Sequence, residues 1–159
     1  MPHIDISKLS PGSPEIALVA RWRVDAFAVL GGDIETERAT LDACAADTAR
    51  HATLIARCDG VPAGTCLLVP SEIDPLHDVS PWLVGLYVAP AFRKRGVGQA
   101  LVRAIESEAA TRGHRRLYLY TDEAEDFYAR LGWRVADRVD WQGFATALMV
   151  RELQESQAA

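Results

Sequence analysis

Apolar residues recur at helical spacing in the first third of the chain and change to a strand-like pattern after residue 51. Ile16, Val19, Ala20, Phe27 and Leu30 share one side of a helix, which predicts a helix from Pro14 to Leu30. Ser13 can cap it, Pro14 suits its first turn, and Gly31-Gly32 ends it. A second helix, Glu35 to Arg50, is rich in alanine and charge and has a weaker apolar period. Ala52 to Cys58 and Pro62 to Val69 read as two strands joined at Asp59-Gly60, the dipeptide that best supplies the backbone angles of a tight hairpin. Pro70 to Pro81 reads as a loop carrying Glu72, Asp74, His77 and Asp78. Trp82 to Val88 is a strand interrupted by Gly85, which marks either a bulge or packing against a bulky neighbour.

The helical period returns from Gln99 to Arg112, where Leu101, Val102, Ile105 and Ala109 face a core and Gly113 stops the helix. Leu117 to Thr121 is a strand and a short helix surrounds Phe127-Tyr128. A last hairpin, Arg134 to Val139 with Phe144 to Arg151, turns through Asp140-Trp141-Gln142-Gly143, and Glu152 to Ala159 is expected to fray. This order gives a single α/β domain over residues 1–159, with a mixed sheet.

Composition narrows the partners. The 159 residues are 49% hydrophobic, enough for one core and not two. A net charge of -5 argues against nucleic-acid binding, which normally shows a basic surface. Cys44, Cys58 and Cys66 are an odd count without metal-ligand spacing, so reduced thiols in a cytoplasmic protein are expected, and no metal. Met1-Pro2-His3-Ile4-Asp5 does not read as a leader, and no stretch reaches membrane-span length, so no membrane partner is expected.

Against that acidic background, Arg93-Lys94-Arg95-Gly96-Val97-Gly98 is a local basic exception between a strand and a helix. Glycines permit close backbone approach, a helix start exposes N–H groups, and the helix dipole adds positive charge, so the stretch is a phosphate cradle. No Gly-Lys-Ser or Gly-Lys-Thr follows, which excludes the nucleoside triphosphatase loop. Leu101 stands where a dinucleotide fingerprint needs its third glycine. A nucleotide- or phosphate-metabolite-binding domain is the reading of the turn taken alone.

Arg-x-x-Gly-x-Gly after Leu86-Tyr87-Val88-Ala89-Pro90 resembles the pyrophosphate signature of the GNAT superfamily of acetyl-CoA-dependent N-acetyltransferases. A second block, Leu117-Tyr118-Leu119-Tyr120-Thr121 with Ala124, Phe127-Tyr128 and Leu131-Gly132-Trp133, resembles the next strand and helix of the same family. The motif core covers about residues 82–134. The resemblance implies a mostly antiparallel mixed sheet flanked by helices, whose splayed central strands admit the cofactor. It implies backbone contacts to acetyl-CoA from Leu86 and Val88, phosphate contacts from Arg93, Arg95, Gly96, Val97, Gly98 and Gln99, and further contacts from Thr121, Phe127 and Tyr128. Thr121 replaces an asparagine frequent in the family. A homodimer is the family habit, and the edge of the last hairpin suits one.

Acetyl transfer to an amine needs a neutral amine, stabilisation of an oxyanion and a proton for the departing thiolate. Tyr128 falls on the family's frequent catalytic tyrosine and is the candidate general acid. Transfer from a phenol (about 10) to a thiolate (about 8.5) is uphill by about 1.5 units, roughly 2 kcal/mol, which a positioned hydrogen bond offsets. Relatives often carry a glutamate on the strand before the turn, but Val84, Gly85 and Leu86 fill its middle here. Either water relays the proton to the loop before the strand, where Glu72, Asp74, His77 and Asp78 are the candidates and imidazole chemistry favours His77, or the amine arrives neutral often enough for transfer to proceed. Asp25, Asp33, Glu35 and Glu37 could attract a cationic amine, and Trp22, Trp82, Trp133 and Trp141 could line its pocket. The acceptor is an amine-bearing small molecule or a peptide. The missing glutamate keeps open a degenerate domain that binds acyl-CoA as a regulatory or interaction module.

Overall fold

A computed structural model describes residues 3–27, 32–71, 76–141 and 143–153. Seven strands form one sheet in the order β1-β2-β3-β4-β5-β7-β6. They are β1 (Ile4–Lys8), β2 (Ala52–Cys58), β3 (Val61–Val69), β4 (Trp82–Val88), β5 (Arg116–Thr121), β6 (Arg134–Trp141) and β7 (Phe144–Glu152). Helices α1 (Glu15–Ala26) and α2 (Ile34–Ala46) pack on one face, α3 (Val97–Thr111) and α4 (Glu125–Arg130) on the other.

Helices on both faces explain why β2 and β3 read as continuous apolar runs. Leu54, Ala56, Cys58, Cys66 and Leu68 point into the α3–α4 core, while Ile55, Leu67 and Val69 point into the α1–α2 core. The α3 positions expected to face inward, Leu101, Val102, Ile105 and Ala109, are all buried. Each large aliphatic side chain so placed contributes about 1.5–3 kcal/mol.

Every neighbouring strand pair is antiparallel except β4 and β5. Those two share a single residue pair, Trp82 with Tyr118, where Tyr118 N–H also donates to the Pro81 carbonyl at 3.1 Å. Beyond it they part, as the fold expectation required. β4 is also bulged. Thr65 pairs with Tyr87 but Leu67 with Val84, so Gly85 and Leu86 together oppose Cys66. Gly85 sits at φ +66, and a Cβ there would run into the Arg23 guanidinium. Both readings of this glycine, bulge and bulky neighbour, hold at once.

The differences from expectation are at element ends. The expected order of elements has no counterpart of β1; Ile4 and Ile6 pack on the α3–α4 core while β1 pairs with β2 more than 45 residues away, from Ile4↔Cys58 to Lys8↔Leu54. Helix α1 starts where Ser13 Oγ accepts the Glu15 N–H at 3.2 Å and stops at Ala26; Leu30 and Gly31 lie outside the described residues. Helix α2 starts at Ile34 because Asp33 accepts both the N–H and the hydroxyl of Thr36 at 2.9 Å. It ends at Ala46, where the Arg50 and His51 N–H groups turn back to the Asp47 carbonyl. Glu152, expected in a frayed tail, is the last residue of β7 and is held by Arg116 and Arg134.

Candidate active site

The basic turn leads from β4 into α3 through a short 3-10 turn, Pro90–Phe92. Arg93 Nε donates to the Val88 carbonyl at 2.9 Å, folding the turn back on the strand end. Gly96 caps α3 in the left-handed region at φ +87, so the N–H groups of Val97, Gly98 and Gln99 open the helix with no preceding carbonyl to meet them. Arg93, Lys94, Arg95 and Gln99 are exposed. A Cβ on Gly98 would lie 3.4 Å from the Phe127 ring and 3.6 Å from Val88, in ordinary contact with both, so α3, α4 and the end of β4 converge at this position. The structure therefore joins Val88, Arg93, Arg95, Gly96, Val97, Gly98, Gln99 and Phe127 around one helix start beside the parted strands.

Tyr128 is buried in the α3–α4 core, with Phe127 edge-on at 5.1 Å and Trp133 at 5.9 Å between ring centres. Burial, and then the Cys66 thiol, push its hydroxyl far above the ordinary phenol range. Cys66, the neighbour that acts on Tyr128, lies opposite the β4 bulge. A hydroxyl shifted in this direction keeps its proton and has it to offer. Thr121 Oγ1 accepts the Ala124 N–H at 3.0 Å and thereby organises the entry to α4. The three cysteines are free, and burial pushes the Cys66 thiol up to about 12. Among the described residues no group of three or more His, Cys, Asp or Glu side chains could hold a metal, and no helix is long and apolar enough to cross a membrane.

A second cluster forms on the α1–α2 face. His77 Nδ1 lies 2.7 Å from the Tyr120 hydroxyl and Nε2 lies 2.8 Å from Asp137 Oδ2. A carboxylate only accepts, so in the neutral imidazole Nε2 carries the hydrogen and Nδ1 turns its lone pair to the Tyr120 O–H. That hydroxyl also accepts the Leu76 N–H at 3.1 Å. Hydrogen bonds from His77 and then the Arg138 N–H hold the Asp137 carboxyl below the usual carboxylate range. The Tyr120 ring lies 4.7 Å from that of Trp82, at the closed end of the split.

Of the other loop candidates, Asp78 is exposed, and Glu72 and Asp74 lie outside the described residues. The acids proposed to draw in an amine are largely committed elsewhere. Glu37 pairs with Arg23, Glu35 with Arg38 at 3.4 Å, and Asp33 caps α2, its carboxyl held low by Thr36; Asp25 is exposed. Trp22, Trp82 and Trp133 are buried, with Trp22 5.6 Å from Tyr87, while Trp141 is half-buried. The sequence does not single out Arg23 or Asp137, and Tyr120 enters there only as part of the Leu117–Thr121 block. Arg23 Nη1 is buried beneath the bulge without a hydrogen-bond partner. No local pattern signals Asp137, which meets His77 across 60 positions.

Comparison with known proteins agrees with this geometry. Residues 17–133 match the family model described as the acetyltransferase (GNAT) family. Over 109 residues the chain is 39% identical to the mycothiol acetyltransferase of Nocardia farcinica (strain IFM 10152), covering 67% of this chain and 33% of that protein. It spans about a third of the length of that relative, and 18% of mouse N-alpha-acetyltransferase 80, to which it is 43% identical over 58 residues. Among solved structures, a GCN5-related N-acetyltransferase from Ralstonia eutropha JMP134 is 28% identical, with a TM-score of 0.66 and coverage of 87% of this chain and 97% of that one.

Proposed function

Because the chain belongs to the acetyltransferase (GNAT) family, we propose that it is an N-acetyltransferase that moves an acetyl group from acetyl-CoA to a primary amine of a small molecule or peptide within a ternary complex. The observation that carries this reading is the split between β4 and β5 beside a left-handed glycine turn at a helix start. Solved structures of this fold hold coenzyme A or acetyl-CoA, among them an aminoglycoside 6'-N-acetyltransferase and a Thermoplasma acidophilum N-acetyltransferase.

The residues present fit that ligand. The N–H groups of Val97, Gly98 and Gln99, with Arg93 and Arg95, would hold the pyrophosphate, and no Cβ on Gly96 or Gly98 obstructs its approach. Leu86 and Val88 would offer main-chain groups along the open side of β4, with Thr121 and Phe127 across the split. Acetyl-CoA supplies the activated carbonyl.

Tyr128 is assigned as the proton donor to the departing thiolate. Its burial raises the cost of losing a proton, but a thiolate generated in the same dry place is raised by the same desolvation, so the gap stays bridgeable by a hydrogen bond. His77 is assigned as the eventual proton acceptor, because the structure ties it to the sheet where no strand carboxylate stands. The absence of a carboxylate at Val84, Gly85 and Leu86 favours a second reading, a catalytically degenerate module that binds acyl-CoA without turnover.

Thiol release from acetyl-CoA, measured with spermidine, kanamycin, Nα-acetyl-lysine and an alanyl tetrapeptide, separates the two readings. Turnover of any amine, with a loss of ~10²-fold in Tyr128→Phe at unchanged acetyl-CoA affinity, supports transfer and the acid assignment. Binding without turnover supports the module, and an unchanged rate in the variant removes Tyr128 from the chemistry.

A further inference from the structure

Three segments far apart in sequence build a hydrogen-bonded line on the α1–α2 face. Asp137 of β6 meets His77 Nε2 at 2.8 Å, and His77 Nδ1 meets the Tyr120 hydroxyl of β5 at 2.7 Å. Trp82 pairs with Tyr118, so two residues further along the parted strands Tyr120 stands across the split from Val84, next to the Gly85 bulge. The side chain therefore stands beside the strand middle that carries no carboxylate here.

We infer that Tyr120 is the group that takes the proton from the acceptor amine, passing its own to His77, and that the acceptor is a low-pKa amine of the α-amino class. This rests on the acetyl-transfer reading above. The ammonium gives one proton to the Tyr120 oxygen while the Tyr120 O–H proton moves to His77 Nδ1. The amine nitrogen then forms the C–N bond as the thioester C–S bond breaks. The thiolate takes a proton from Tyr128, the second amine proton restores Tyr128, and His77 returns its proton to water. One ammonium proton thus leaves to solvent and one ends on the thiol.

Tyr120 is the catalytic residue of this line; His77 and Asp137 act through it. Asp137 sets the tautomer that leaves Nδ1 free to accept, and the Arg138 N–H fixes Asp137 Oδ1 at 2.8 Å. The other charged groups around the imidazole are the Arg138 guanidinium, occupied by Glu125, and the exposed Asp78. A line ending on an imidazole draws a proton far more readily from an α-amino group (about 8) than from a lysine ammonium (about 10.4). The difference of about 2.4 units corresponds to roughly 250-fold in neutral amine at pH 7.

Rates and acetyl-CoA affinity of wild type, Tyr120→Phe, His77→Gln, the double variant and Asp137→Asn, with the alanyl tetrapeptide and Nα-acetyl-lysine as acceptors, test the inference. Wild type should prefer the tetrapeptide by ~10²-fold at pH 7. Each of the first two variants should lose ~10²-fold in kcat at pH 7 and bind acetyl-CoA as before, the loss shrinking as pH approaches the amine's own value. The double variant should be no worse than either single one. Asp137→Asn should lose about tenfold in kcat, and 15N spectra of its histidines should show the His77 Nε2–H tautomer depleted.

A preference for the lysine amine, losses that do not change with pH, or losses that multiply in the double variant would overturn the relay while leaving acetyl transfer intact. An unchanged tautomer in Asp137→Asn would remove Asp137 from it. No turnover of any amine by wild type would bring down the acetyl-transfer reading and the relay with it.

Discussion

The two faces of the split are built by opposite means. Toward α3 and α4 the cradle is main chain: a left-handed glycine, a row of N–H groups and a strand end within about ten consecutive positions. Toward α1 and α2 the cluster is side chains from β4, β5, β6 and the preceding loop, brought together only by tertiary structure. The first kind of site is written in local sequence and suits the phosphate-bearing cosubstrate proposed above. The second depends on the register of distant strands, and it is where one member of a fold family can differ from the next.

Gly85 belongs to both faces, so it is the place to break that division. Gly85→Val forces a β-branched residue to φ +66 and into Arg23. We expect a loss of about 4 kcal/mol, seen as a fall of roughly 8–16 °C in Tm, with acetyl-CoA binding and turnover falling together. Retained acetyl-CoA binding would show that the faces are separable even at the bulge.

Glu106 sharpens the contrast from the α3–α4 side. Only 9% exposed, it accepts from Trp133 Nε1 at 3.0 Å and from Arg103, with Arg151 at 3.7 Å. Glu106→Leu strands these donors and should cost about 3 kcal/mol, measured by urea unfolding. Because Trp133 packs on Tyr128, kcat should fall while the acceptor's KM holds.

The division also explains what the sequence could disclose. Trp82–Val88, the Asp59-Gly60 turn and the inward face of α3 were readable because alternation, turn chemistry and helical period are local properties. The mostly antiparallel sheet with its parted central strands was reached only through family resemblance, and the strand order was not reached at all. β1 escaped because five residues at an edge carry too short a pattern, and their partner strand lies half a hundred residues away. Glu106 escaped because a carboxylate on an amphipathic helix reads as solvated until Trp133 is seen to reach it. Among site residues, Phe127 and Gly98 were legible from motif spacing, whereas Arg23 and Asp137 acquire meaning only from what they touch.

Smaller effects test each side separately. Arg95→Ala should raise the Kd for acetyl-CoA about tenfold, or about 1.4 kcal/mol, shrink with added salt, and leave acceptor preference unchanged. The smallest effect lies outside both faces. Burial raises the Glu108 carboxyl, but hydrogen bonds from Lys8 and Arg112 outweigh it and hold the group below its ordinary 4.5. A depressed carboxylate gives stability that is fully present above the unfolded value and is lost as pH falls through the folded one. Exposure of the Lys8 partner limits the gain to about 0.5 kcal/mol. Urea midpoints of Glu108→Gln and wild type should differ at pH 7 and converge at pH 3.

Among the described residues a single register pair, Trp82 with Tyr118, joins the β1–β4 half of the sheet to the β5–β7 half by strand pairing. Strands that part leave amides and carbonyls to water, so hydrogen exchange along this line is expected to be faster than in the paired strands on either side. A ligand held in the split then completes the sheet from outside. At a hundredfold excess over its Kd it adds about 2.7 kcal/mol to the stability of the whole domain. With the proposed cosubstrate in this gap, its concentration would thus be read out as rigidity of the whole domain.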